Sequence, residues 1–426
     1  MQNLFNNQEM RKHVRRPFSQ PVSYSISALD AKERKWLNLK GNIFDISERG
    51  VGIFTDYPLE PGHILWFHEV IEDKAGFVRW CAKYDHTYRA GIELDGTQVK
   101  ILDEETEFFN NRLEEIERRC FAPDANPEEL LSATRKAIDT VLAVCQEFEQ
   151  EVQDKEIIRD ARIRFREKTN HILSKSYFIN RARTWPQGYQ GDYKMLENIY
   201  RNTPLSDGIG YYLDMCSLNT PLGIAVRNRI KKLEDILREE LVNRYKPSVL
   251  DIACGSCREV FELASEIERS DARFICVDLD DDALAFAANR LSYTGISPLT
   301  SDHIKLRKYN ALRMFDNELN MSEFGKQDII YSVGFFDYLP SDFLTNMLGS
   351  LYRLLKANGI LIAAFKDAHR YRALDYHWIV DWDGFLQRTE EDFWKIFDGA
   401  KIPHDHIIET REETGIIIFY LIRKLD

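Results

Sequence analysis

Residues 249–282, VLDIACGSCREVFELASEIERSDARFICVDLDDD, place an apolar strand, a tight turn of small residues, a helix and a second strand ending at Asp278 in direct succession. Small residues at Ala253, Gly255 and Cys257 let backbone approach a ligand, and an acid closing the second strand can take ribose hydroxyls. That chemistry is the binding of a nucleotide-like cofactor by an α/β domain. No third glycine follows at G-x-G-x-x-G spacing, so the pattern departs from the dinucleotide turn. Asp280 is the fallback for Asp278, because the run VDLDDD leaves the end of the strand open.

The elements that must position these residues follow downstream. Residues 328–333 (DIIYSV) read as a buried strand, 341–356 as an amphipathic helix, and 359–365 (GILIAAF) as another strand after the helix-stopping Gly359. Strands alternating with helices predict a parallel sheet covered on both faces. HIIET and GIIIFYLIRK, joined by a short turn around Gly415, predict a terminal β-hairpin on that sheet.

The small-residue turn resembles motif I of class I S-adenosylmethionine-dependent methyltransferases, whose cofactor has no pyrophosphate to cradle. The resemblance implies a Rossmann-like core, with Asp251, Ala253 and Gly255 under the methionine moiety, Asp278 on the adenosine ribose, and Asn310, at the end of IKLRKYN, on adenine. Methyl transfer is an in-line displacement, so the protein mainly aligns the acceptor in a dry site. A carboxylate acceptor needs no base; a hydroxyl or amine would. In open α/β sheets ligands lie at the carboxyl ends of strands, which selects Phe336, Asp337 and Tyr338 after one strand and Lys366, His369 and Arg370 after the next. Lys366 or Arg370 could hold an acidic acceptor. Tyr371, Tyr376, His377, Trp378 and Trp382 either wall an acyl pocket or build a structured insertion.

With 426 residues the chain is expected to hold two or three domains. A net charge of −12, from 57 basic and 69 acidic residues, argues against a general phosphate-backbone binder, so no nucleic-acid partner is expected. No transmembrane or signal segment is apparent, and seven scattered cysteines suit a reducing compartment, so a cytoplasmic location is expected. Cys254 and Cys257 form a C-x-x-C without a second pair or histidine cluster at zinc spacing. They are read as part of the cofactor turn, and no metal is expected.

The first hundred residues alternate with period two in PVSYSIS, WLNLKGNIFDIS, GVGIFT, FVRWCAKY and YRAGIEL, which predicts a small antiparallel β-barrel or sandwich. Arg11 and Arg15, in RKHVRRPF, stand four apart, and Asp45, Ser47 and Gly50 fall in the run DISERG. Arginine forks grip phosphate in two places and stack on purines, while Asp45 and Ser47 can bond a base edge or sugar and Gly50 lets the strand turn close to the ligand. Lys12 and Arg16 form an overlapping basic pair, and the following Pro17 and Phe18 favour Arg11 and Arg15. Over about residues 9–96 the segment resembles a PilZ domain, whose R-x-x-x-R and D/N-x-S-x-x-G motifs bind cyclic di-GMP. The resemblance implies that cyclic di-GMP is a regulatory ligand.

Between these parts, residues 99–180 read as a helical connector, with Asn126 and Pro127 opening a helix whose Ile138, Val141, Leu142, Cys145 and Phe148 form an apolar stripe. The stripe serves packing, or a homodimer contact. In 185–214, glycines 188, 191, 208 and 210 alternate with tyrosines 189, 193, 200, 211 and 212, suiting a lid over a pocket or an aromatic packing layer. The boundaries expected are 1–98 for the PilZ-like domain, 99–180 for the connector and 181–426 for the methyltransferase, with 181–245 as cover and 246–426 as core. PQGYQGDYKMLENIYRN, ACGSCRE, VDLDDDAL and YSVGFFDYL resemble the methyltransferase family assigned to the 3-hydroxypalmitic acid methyl ester signal, over roughly residues 125–426. That implies a small carboxylic acid or acyl substrate. The alternatives are a non-catalytic cyclic di-GMP scaffold, suggested by Cys257 at a usual glycine position, and a protein-carboxylate methyltransferase.

Overall fold

The computed structural model describes residues 16–29, 34–47, 50–68, 75–94, 97–292, 299, 302–382 and 384–425. These fall into two compact units, one within 1–112 and 138–168, the other within 113–137 and 169–426.

Six strands build the sheet of the first unit: β1 (Arg16–Leu29), β2 (Arg34–Ser47), β3 (Gly50–Thr55), β4 (Ile64–His68), β5 (Ala75–Tyr84) and β6 (Thr87–Glu93). All neighbours are antiparallel, and β1 pairs on both sides, with β2 and β4, so the ladder β1-β2-β3-β6-β5-β4 closes on itself. The period-two pattern explains the core. Val22, Tyr24 and Ile26 of β1 and Val51 and Ile53 of β3 point to one apolar cluster. The Tyr24 hydroxyl is satisfied there by Thr55 Oγ1 at 2.5 Å. Strand β4 (ILWFH) was not foreseen, since its apolar run is too short and too continuous to alternate.

The helix Pro127–Val152 opens as expected: Asn126 Oδ1 accepts from the backbone N–H of Glu128 at 3.0 Å and of Glu129 at 3.4 Å. Its stripe Ile138, Val141, Leu142, Cys145 and Phe148 is buried.

The second unit carries seven strands: β7 (Ser248–Ile252), β8 (Arg273–Asp278), β9 (Ile304–Lys308), β10 (Gln327–Val333), β11 (Leu355–Lys366), β12 (Ile407–Arg411) and β13 (Ile417–Arg423). Their order is β12-β13-β11-β10-β7-β8-β9. Neighbours from β9 to β11 are parallel, and β13 runs antiparallel to both β11 and β12, which is the expected terminal hairpin. Alternate residues feed two cores. Val249, Ile360, Ile362 and Phe419 enter one cluster, and Leu250, Leu361, Ala363, Ile418 and Tyr420 the other, so both faces are covered. The helix before β11 stops at Leu354, earlier than Gly359, because a register shift in the β10–β11 ladder lets the strand begin at Leu355. The order of strands reverses between β7 and β10, which puts the ligand crevice at the carboxyl end of β7.

Two helices, Tyr193–Arg201 and Gly208–Leu218, lie in the tyrosine-rich stretch. Buried Asp214 anchors them, accepting from Ser176 Oγ at 2.6 Å and from the N–H groups of Leu205 and Ser206 at 2.9 and 3.0 Å. Gly210 fits because it has no side chain: a Cβ there would sit 2.3 Å from the Lys175 carbonyl oxygen. Gly210→Ala is expected to destabilise the fold by about 1–3 kcal/mol, read as a lower urea midpoint with an unchanged slope.

Candidate active site

After β7 the chain takes left-handed backbone at every second residue: Ala253 (φ 57°), Gly255 (φ 52°) and Cys257 (φ 49°). For Ala253 and Cys257 this conformation costs roughly 1–2 kcal/mol each, strain of the kind that collects at ligand sites. The turn is held by Cys254 N–H donating to Val277 O at 3.0 Å and Cys257 N–H to Cys254 O at 2.9 Å. Gly255 N–H donates to Asp278 Oδ2 at 2.8 Å, and Asp280 N–H to Asp278 Oδ1 at 2.9 Å. Burial, opposed by these N–H groups, leaves the Asp278 carboxyl above its ordinary range. Each of its oxygens accepts one backbone hydrogen bond and retains a lone pair for a hydroxyl. A Cβ at Gly255 would approach Tyr193 Cβ at 3.8 Å, so the turn keeps an open backbone face beneath the tyrosine. These features fit an adenosine-bearing cofactor.

Asp278 and Asn310 close the neighbouring strands β8 and β9, and Gly255 follows β7 beside them. Asn310 is exposed, its Oδ1 accepting from Leu312 N–H at 3.0 Å. Asp280 caps the helix Asp281–Ser292 through Asp282 N–H at 2.9 Å and accepts from the Tyr189 hydroxyl at 2.8 Å. Asp251 lies beneath the turn rather than on its surface. It is buried, its Oδ2 lacks a hydrogen-bond partner among the described residues, and burial together with the Glu259 charge raises its carboxyl well above the ordinary range. Ligand atoms of Asp251, Cys254 and Cys257 fall within 4.8 Å of one another, a grouping the C-x-x-C spacing alone did not reveal.

The stretch 185–201 lies over this turn. Gln187 Nε2 donates to Asp282 at 3.0 Å, and Tyr193 packs on Phe286 with ring centroids 5.4 Å apart. Glu197, unremarked in the sequence, is the hub. Its carboxylate accepts from Ser256 Oγ at 2.6 Å and Arg258 Nη1 at 3.3 Å, and from both Nη atoms of Arg290.

On the acceptor side, Asp337 and Lys366 form a buried ion pair, and Lys366 N–H also donates to Asp337 Oδ1 at 3.2 Å. Lys366 is therefore already neutralised. Burial lowers its ammonium below the ordinary range despite that partner. His369 and Arg370 are exposed, and Arg370 Nε bonds Asp367 at 3.2 Å. Tyr371, Tyr376 and Trp382 gather around Phe385 with centroids 6.3, 5.6 and 6.2 Å away, and Tyr338 joins at 6.4 Å. Trp378 is fully buried and His377 partly so. Phe336 is buried in the core against Phe365. Phe385 and Arg229 complete this region. Neither was singled out in the sequence: Arg229 falls in the stretch read as cover, and Phe385 just beyond the aromatic run ending at Trp382.

In the first unit Asp45 lies on β2 opposite Gly52 and Pro17, and Ser47 Oγ donates to Gly50 O at 3.2 Å across the start of β3. Arg11 and Arg15 lie outside the described residues, while Arg16 is exposed at the start of β1.

Residues 250–361 match the family model described as a methyltransferase domain. Over these residues the chain carries a methyltransferase domain. This match covers the turn, Asp278, Asn310 and the β10 exit. Among solved structures, a possible exported protein from Bordetella parapertussis is similar at 14% identity and TM-score 0.45, over 76% of this chain and 97% of that one. Magnesium protoporphyrin IX methyltransferase from Synechocystis, with bound S-adenosylhomocysteine, is similar at 12% identity and TM-score 0.36, over 48% of this chain and 85% of that one. A methyltransferase from Clostridium acetobutylicum is similar at 17% identity and TM-score 0.33, over 46% and 92%. None of these likenesses bears on substrate. No curated protein matches the sequence. Among the described residues no helix is long and apolar enough to cross a membrane.

Burial alone would raise the Glu197 carboxyl, but Arg290, Ser256 and Arg258 outweigh it and hold it below its ordinary range. A depressed native value stabilises the fold above the unfolded carboxyl pKa of about 4.3, and this contribution disappears as pH falls through the native value. Glu197→Ala, which strands Arg290, is expected to cost about 3–5 kcal/mol at neutral pH. Urea titrations across acid pH should show the variant losing part of the wild-type acid sensitivity.

Proposed function

We propose that this chain is a cyclic di-GMP-responsive, S-adenosylmethionine-dependent O-methyltransferase that converts a small carboxylic acid, such as a 3-hydroxy fatty acid, to its methyl ester. In this reading residues 1–98 are a PilZ-like domain, 99–180 a helical connector and 181–426 the methyltransferase domain. The observation that carries the enzymatic part is the left-handed turn at 253–257, hydrogen-bonded to Asp278 and covered by Tyr189 and Tyr193.

S-adenosylmethionine, when bound, supplies a methyl group activated by its sulfonium. Ala253 and Gly255 offer it backbone, Asp278 the ribose contact with Asp280 as fallback, and Asn310 the adenine contact, while Asp251 supports the turn from below. A carboxylate acceptor brings its own lone pair, so the chain need only orient it and exclude water. Tyr338, Tyr371, Tyr376 and Trp382 around Phe385 suit that role and give an acyl chain apolar surface. Lys366, paired with Asp337, positions the loops beside the acceptor rather than serving as a free cation. His369 and Arg370 stand at the rim. In the first domain Arg11, Arg15, Asp45, Ser47 and Gly50 are assigned to cyclic di-GMP.

Asp278→Ala is expected to weaken S-adenosylmethionine binding about 10- to 100-fold, the worth of hydrogen bonds to a charged group; unchanged affinity by calorimetry removes the ribose assignment. Mass spectrometry of a bacterial lipid extract incubated with labelled cofactor should reveal a labelled methyl ester. A labelled amine or protein alone overturns the acceptor class. Calorimetry should also detect cyclic di-GMP binding that Arg15→Ala or Asp45→Ala abolishes, and its absence in the wild type ends the regulatory reading.

A further inference from the structure

Arg229, on the helix Pro221–Val242, is only 4% exposed, yet among the described residues no carboxylate lies within ion-pair distance of it. Its one hydrogen bond runs from Nη2 to the Tyr200 hydroxyl at 3.3 Å, and its Nε has no partner. In this unit the partly buried Arg181 is satisfied, and so is Arg388, which is as buried as Arg229. Arg181 meets Asp192 with three bonds of 2.8–3.0 Å, and Arg388 spends its donors on Ser341 Oγ and the carbonyls of Phe336 and Leu339. Arg388 shows that neutral acceptors can hold a buried guanidinium, but Arg229 has only the Tyr200 hydroxyl, and a buried charge left with unmet donors costs several kcal/mol, so it persists where something else meets them.

Its place in the fold says what. Tyr331 pairs with Asp251 across β10 and β7, so Gly334, three residues on, emerges at the edge that carries the cofactor turn. A Cβ at Gly334 (φ 97°) would sit 2.9 Å from Arg229 Nη1. The Arg229 charge is felt by Tyr338, whose hydroxyl it favours ionising against burial and Asp337, and by Lys366, whose ammonium it adds to burial in lowering. Asp337 is already spent on Lys366, and Arg388 spends its donors on neutral acceptors, which leaves Arg229 as the cation with unmet donors. Two further buried atoms without a partner belong to the same neighbourhood: Gln190 Oε1 and Trp382 Nε1. Gln190 packs at Gly384, and Trp382 and the Tyr338 hydroxyl meet at Gly191.

We propose that Arg229 is the anion anchor of the acceptor site and takes the carboxylate of the methyl acceptor between the β10 exit and the Tyr338–Trp382–Phe385 cluster. This rests on the carboxylic-acid reading above and assigns its specificity to one side chain. A two-donor fork holds one carboxylate in a fixed plane, which a lone ammonium does not.

The probe is 3-hydroxyhexadecanoic acid, compared with its primary amide, on the full chain with S-adenosylhomocysteine present. The acid should raise the melting temperature of the wild type and the amide should not. Arg229→Met should lose the response to the acid and, lacking a stranded charge, melt about 2–4 °C higher than wild type without ligand; a purely structural arginine would melt lower. Arg229→Lys should restore a weaker response. Equal responses to acid and amide, or an acid response retained in Arg229→Met, overturn the assignment. Acid binding through Arg229 without methyl ester formation would leave the anchor standing and sink the proposed reaction instead.

Discussion

One buried carboxylate does more than any other group to give the second unit a site. Glu197 stands on a helix of the tyrosine-rich stretch, and its partners come from the turn (Ser256), the helix after it (Arg258) and the helix after β8 (Arg290). A charge so deeply placed is tolerable only when fully partnered, so the cover can sit on the turn in one arrangement alone. The closeness of Tyr193 to Gly255 and of Tyr189 to Asp280 follows from that constraint.

The turn beneath is strained, and its strain is matched by its hydrogen bonds. Two non-glycine residues adopt left-handed backbone there, and Asp278 fixes the middle one, Gly255, through its N–H. Cys257, though not a glycine, adopts the conformation a glycine would, with its small side chain buried in the core below. Cysteine in place of a glycine at that position therefore leaves the turn in its left-handed form.

Sequence periodicity made most of the fold legible. The strands of 249–282, DIIYSV and the terminal hairpin are local patterns, and each appears where its pattern predicts. The positions of Asp278 and Asn310 at the ends of β8 and β9 were legible because in each case a strand end and an acid or amide lie together in the chain. Glu197 and Arg229 were not. A charged residue on a helix is ordinarily solvated, and only the tertiary arrangement shows that Glu197 has three partner residues and Arg229 only a tyrosine hydroxyl. Lys366 illustrates the converse. Its position at the end of β11 suggested a free cation, but Asp337, 29 residues earlier, neutralises it. The β4 strand escaped because four continuous apolar residues, Ile64 to Phe67, carry no period.

The sheet of the first unit is closed, with β1 bonded to both β2 and β4. Over residues 23–26 of β1 the strand is bonded on both sides, so this stretch has no unpaired backbone groups to lend to a peptide added as a further strand.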